Sequence, residues 1–228
     1  MSFRLGNRKE IIRWAIWLVL GLLLLIFVVK VLAYEGSYYN EKDGSERAIV
    51  EQEEEEEELV EVKPTTEEVH EYTVAPDRPR YLTVEKLGIH NARILPMGVN
   101  AKGELDTPRN IFDVGWYEAS GKPGQGGTMM IDGHNGGPHV HGVFKDLPSL
   151  AVGDIIKVER GDGAVYNYKV VENKAVLLSE ANKYMSTAAR SPEAGRESVT
   201  LITCTGEWSQ SQQTYLSRQF TRAVLLES

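Results

Sequence analysis

Hydrophobic positions run along this chain in two modes. From Ile11 to Tyr34 they are nearly continuous, and Trp14 to Val29 contains no charge. At 1.5 Å per residue that stretch spans about 36 Å, enough for a roughly 30 Å hydrocarbon layer with some tilt. Arg13 and Lys30 stand where their heads reach the interfaces, and Trp14, Trp17 and Tyr34 suit the same zones. The run predicts one transmembrane helix over residues 11–34, preceded by a short N-terminus of residues 1–10. A cleaved signal peptide is the rival reading, since Val31-Leu32-Ala33 passes as a cleavage site. The apolar run is longer than the roughly 7–15 residues of a signal core.

From about Arg80 the pattern changes to short alternating or β-rich runs. Tyr81–Val84, Ala92–Leu95, Thr128–Ile131, Asp154–Arg160, Ala164–Val171, Ser198–Cys204 and Arg218–Leu226 read as strands. Ala101–Glu104 reads as a hairpin turn with Gly103 free for positive φ, and Gly161-Asp162-Gly163 as another. Only Glu180–Ala189 reads as a clear helix, with Ser179 as its N-cap; a short turn is expected near Val143–Leu147. Many short strands with glycine-rich turns predict a mostly β domain, a closed barrel or a sandwich.

Charge separates these two parts. The chain of 228 residues carries −8 overall, but residues 1–34 carry +4, residues 35–72 carry −12 and the remainder is neutral. Glu51 and the run Glu53–Glu58 repel one another and bury nothing, so residues 35–75 are expected to form an acidic, extended stalk. A neutral domain has no basic excess for a phosphate backbone, which argues against nucleic acid. Arg4, Arg8, Lys9 and Arg13 place the N-terminus in the cytoplasm and residues 76–228 outside the cell, at the membrane.

One cysteine excludes an internal disulfide and a cysteine-based zinc site. Cys204 ends an apolar strand and precedes a polar loop, Thr205–Thr214, unpaired in an oxidising compartment. A reactive thiol needs a partner to exchange its proton and a cation to hold developing charge. The histidine candidates are His70, His90, His134, His139 and His141, of which the last three share the loop GHNGGPHVHG. Three imidazoles can hold zinc, but a loop so rich in glycine is poorly organised for it and no carboxylate has ligand spacing. No metal and no cofactor are expected. Arg218 opens the last strand, and Arg222 falls on the same face four residues on.

Together these residues resemble a known family. Thr200-Leu201-Ile202-Thr203-Cys204 is similar to the T-L-x-T-C signature of sortases, cell-wall transpeptidases of Gram-positive-type bacteria, and Arg218 follows 14 residues on. Ile131–Asn135 resembles the strand end that carries the family histidine, although Asp132 stands where alanine is common. Val143–Leu147, Gly153–Val158, Val114–Tyr117 and Lys122–Gly124 resemble further family segments, so the likeness covers about residues 78–226. It implies a closed eight-stranded sortase-type β-barrel with one or two short helices. It also implies Cys204 as nucleophile, His134 as general acid and base, and Arg218 as stabiliser of the oxyanion or substrate, with Arg222 a competitor for that place. The implied reaction cleaves an LPxTG-like sorting signal of a secreted protein and passes the acyl group to an amine, expected to be that of a peptidoglycan precursor. No hydrophobic segment follows residue 226 and no obvious lid precedes the domain, which favours a class D, E or F type over pilus class C. A cysteine hydrolase and a non-catalytic surface domain are the alternatives.

Overall fold

The structure, a computed structural model, describes Lys30, residues 59–100 and residues 105–227. The expected transmembrane helix, except Lys30, and the expected turn at Ala101–Glu104 lie outside the described residues. Among the described residues no helix is long and apolar enough to cross a membrane.

Eight strands close into a barrel: β1 Pro79–Val84, β2 Ile89–Met97, β3 Val114–Tyr117, β4 Thr128–Gly133, β5 Ile155–Arg160, β6 Val165–Leu177, β7 Ser198–Ser209 and β8 Thr214–Leu225. Their order around the wall is β1-β2-β3-β4-β7-β8-β6-β5. The β2–β3 and β4–β7 pairs are parallel and the rest antiparallel. Among the described residues of this unit, helix α1 at Thr66–Glu71 precedes β1 and helix α2 at Leu178–Ala188 joins β6 to β7. Closure leaves no free sheet edge, which a domain of short strands otherwise exposes.

Alternation sorts each strand's side chains onto two faces. One face fills the barrel with Leu82, Ile94, Trp116, Ile131, Val158, Tyr168, Leu201 and their neighbours, nearly all sealed from solvent. Residues of the opposite parity on β4, β7 and β8, together with Val176 of β6, form a second apolar cluster, Met130, Val176, Ile202 and Phe220, packed beneath Tyr184, Met185 and Ala188 of α2. Tyr184 lies edge-on to Phe220 with centroids 4.9 Å apart, and its hydroxyl donates to Glu172 at 2.6 Å. The β6 strand serves both sides because its register shifts between Val170 and Glu172.

Several expected elements shift. Helix α2 starts at Leu178, with Leu177 as its cap residue and no side-chain cap bond, because β6 runs directly into it. Ser179 is therefore inside the first turn and not the N-cap. The stretch Thr205–Thr214, expected as a loop, is largely a hairpin: β7 runs on to Ser209, and Trp208 pairs with Tyr215. Those two rings meet edge-on at 5.2 Å, which supports strand pairing in a polar segment. Gly206 (φ 85°) supplies the left-handed residue where the register breaks between Thr205 and Trp208.

Residues 59–75, part of the expected stalk, belong to the same compact unit as the barrel. Thr65 and Glu68 close a reciprocal capping box on α1. The Tyr72 hydroxyl donates to the Ile94 carbonyl at 2.5 Å, and that of Tyr81 donates to the Val69 carbonyl. Val60 bridges Asn110, and Glu61 Oε1 accepts from the backbone N–H of His139 at 2.9 Å. The acidic run ends at Glu58, so the stretch after it regains Val60, Val69 and Tyr72 with which to dock.

Candidate active site

Strand register brings three distant residues side by side. In the parallel β4–β7 pair Asp132 lies beside Ile202, so the chain leaving β4 carries His134 to the level of Cys204. In the antiparallel β7–β8 pair Cys204 faces Arg218 directly. Each of the three is two residues beyond a neighbour in the second cluster or its row, hence on that same outer face.

Side-chain bonds hold the β4 end in place. The Thr203 hydroxyl donates to the Gly133 carbonyl at 2.7 Å, and Asn135 Nδ2 donates to the Cys204 carbonyl at 2.7 Å; both side chains are buried. Gly133 permits a close approach, since a Cβ there would come within 2.7 Å of the Phe144 ring. Asn135 adjoins the histidine in the sequence, but its length and amide pattern say nothing of its partner. Tertiary register alone reveals it.

Cys204 is free and half-buried. Burial pushes its thiol above the usual range; Arg218 opposes that shift and Asp132 adds to it. His134 Nε2 lies 2.8 Å from the Pro108 carbonyl oxygen. A carbonyl only accepts, so Nε2 carries the proton and Nδ1 is left as the basic nitrogen. Burial holds the imidazole below its usual pKa, with the Pro108 bond opposing. Both shifts favour the neutral thiol and the neutral imidazole over their charged forms.

Arg218 and Arg222 have separate fates. Arg218 is half-buried, its Nη1 donating to the carbonyls of Tyr215 at 3.0 Å and Ser217 at 3.1 Å, and its Nη2 to Thr214 Oγ1 at 3.2 Å. These bonds come from its own hairpin and aim the guanidinium beside Cys204. Arg222 is buried opposite Thr200 and donates to Glu172 at 2.5 Å and to the carbonyls of Thr187 and Arg190 at 3.1 and 2.8 Å. It ties β8 to β6 and α2.

The other histidines lie elsewhere. His70 and His90 are exposed on α1 and β2. His139 and His141 stand exposed in the loop after His134, bridged to Glu61 and Gly136 respectively through backbone. Among the described residues no group of three or more potential ligands is disposed to hold a metal ion.

A model of the sortase domain matches residues 82–225. A search of curated proteins returned no match. Among solved structures, a Sortase D5 transpeptidase of Clostridium perfringens is 21% identical, with 72% of this chain and 91% of that one covered and a TM-score of 0.46. A pilus-related Sortase C of Group B Streptococcus is 18% identical, covering 76% and 77%, with a TM-score of 0.49. A SrtA sortase from Actinomyces oris is 21% identical, covering 68% and 83%, with a TM-score of 0.47. The chain belongs to the sortase family of cysteine transpeptidases.

Proposed function

We propose that Cys204 is the nucleophile, His134 the general acid and base, and Arg218 the group that steadies the oxyanion or the substrate backbone. The observation that carries this reading is the register, which sets Cys204 opposite Arg218 and pairs Asp132 with Ile202, two residues before His134 and Cys204 respectively. The substrate is a secreted protein bearing an LPxTG-like sorting signal. The Cys204 sulfur attacks the threonine carbonyl carbon as its proton passes to the imidazole. The resulting oxyanion lies toward the Arg218 guanidinium. The imidazolium then protonates the departing amine, leaving a thioester on Cys204. An incoming amine, that of a peptidoglycan precursor, attacks the thioester while His134 takes its proton.

A single membrane helix at residues 11–34, with the N-terminus cytoplasmic, tethers the barrel outside the cell. The uncharged run Trp14–Val29 and the basic residues before it support that placement. A tether confines enzyme and membrane-bound substrates to one thin layer and raises their effective concentration. The full-length chain in detergent, given a sorting peptide and a glycine-based amine, is expected to yield the ligated peptide, and Cys204→Ala none. Free peptide acid with no gain from added amine would mark a hydrolase instead. Undiminished ligation by Cys204→Ala would refute the assignment.

A further inference from the structure

The outer face of β4, β7 and β8 is built in rows. Cys204 and Arg218 make one row, which His134 extends from just past the end of β4; the next row along the strands is Asp132, Ile202 and Phe220. Ile202 and Phe220 belong to the second apolar cluster, and Met130, one row further, joins them. Asp132 is thus a carboxyl set into an apolar shelf directly behind the nucleophile.

The surroundings accommodate that carboxyl. Thr107 Oγ1 donates to Asp132 Oδ2 at 2.6 Å. On the neighbouring strand Gly115 leaves the space Oδ1 needs, since a Cβ there would stand 2.5 Å from that oxygen. Asp132 remains half-buried, and among the described residues no cation pairs with it. Desolvation raises its pKa to about 7, against the lowering by Thr107, and Asp106 adds to the rise. A partly buried acid without a counter-ion, one row from Cys204 in an apolar wall, is a costly feature and points to a ligand.

We propose that Asp132, held by Thr107, is a specificity-determining residue that selects a hydrogen-bond-donating side chain (amide, hydroxyl or ammonium) in the sorting peptide close to the scissile bond. The proposal rests on the sorting-peptide reading given above. One strand spacing and one row separate Asp132 from Cys204, about 8 Å from a strand separation near 4.8 Å and two residues of rise. An extended peptide covers that distance in two or three residues, which places the selected side chain within the three positions preceding the scissile threonine. Thr107 uses one lone pair of Oδ2, and the remaining lone pairs can accept from the peptide. An apolar side chain lying there would strip water from the carboxyl and return no bond, a penalty of roughly tenfold to a hundredfold. The same carboxylate disfavours a thiolate at Cys204, so a donor bound over it also eases ionisation of the nucleophile.

The test uses the full-length chain with sorting peptides in which each of the three positions before threonine is scanned with Ala, Leu, Asn, Ser and Lys. Acylation of Cys204 is read as kcat/KM. At one position Asn, Ser or Lys should exceed Leu by about tenfold or more. Asp132→Ala should reverse that order. Asp132→Asn keeps the shape and offers a donor of its own, so it should lose the preference for lysine while melting as the parent does. The same ranking in parent and both variants would overturn the subsite and leave the enzyme reading intact. Absence of acylation with every peptide would overturn both.

Discussion

The chemistry of this molecule rests on how three side chains are held. Burial raises the Cys204 thiol and lowers the His134 imidazole, which favours the neutral pair over the ion pair that the proposed mechanism uses, a tautomer with the same number of protons. Activity then requires one proton shared between the two groups. It is lost in acid when the imidazole also protonates, and lost in alkali when the thiol ionises without it. Because one pKa is depressed and the other elevated, the active window widens at both ends. The acid limb of kcat/KM should fall below the ordinary imidazole value of about 6.5, and the alkaline limb above the ordinary thiol value of about 8.5. A pH–rate profile with both limbs inside that interval would contradict the preference for the neutral pair. Residue identity made much of this legible beforehand. Cys204, His134 and Arg218 stand out by type and motif, whereas Pro108 and Asn135 have no sequence mark of their role. Asp132 was visible as a departure from the family pattern. Its effect falls on Cys204, where it opposes a thiolate.

Strand β8 carries two arginines with different duties, and the parity of the strand explains why sequence alone left them as rivals. Both occupy the outer face, but four residues move Arg222 two rows from Cys204 and beneath α2. Its charge meets Glu172 and two carbonyls away from bulk water, so truncation strands a partner and exposes unmade bonds. Arg222→Ala is expected to cost about 3 kcal/mol of stability, visible as a lower melting temperature. Arg218→Ala should leave the melt within about 0.5 kcal/mol of the parent, since its bonds are to its own hairpin and it is half-exposed, while cutting turnover at least a hundredfold. Parallel thermal melts and initial rates separate the two; equal loss of rate with equal loss of stability would erase the distinction. The β7–β8 hairpin beyond Cys204 and the docked stretch from Leu59 to Tyr72 were not legible. One looks polar and is held by a Trp–Tyr contact across strands. The other follows a glutamate run whose composition hides Val60, Val69 and Tyr72.

At the scale of the whole molecule, short alternating strands specify a β domain, but closure into a barrel depends on pairings between segments as remote as β1 and β5 or β4 and β7. No periodicity encodes those partners, and the family resemblance supplied what the pattern could not. The barrel brings β4, β7 and β8 into one wall and so converts three separate motifs into a single row. A transpeptidase built this way must pass through a thioester on one sulfur. The most direct measurement is the intact mass of the full-length chain, quenched during turnover of a sorting peptide without added amine. The account predicts a mass increase equal to the peptide portion up to threonine, located on Cys204 and discharged by a glycine-based amine. Turnover with no adduct on Cys204, or with one on another residue, would contradict it.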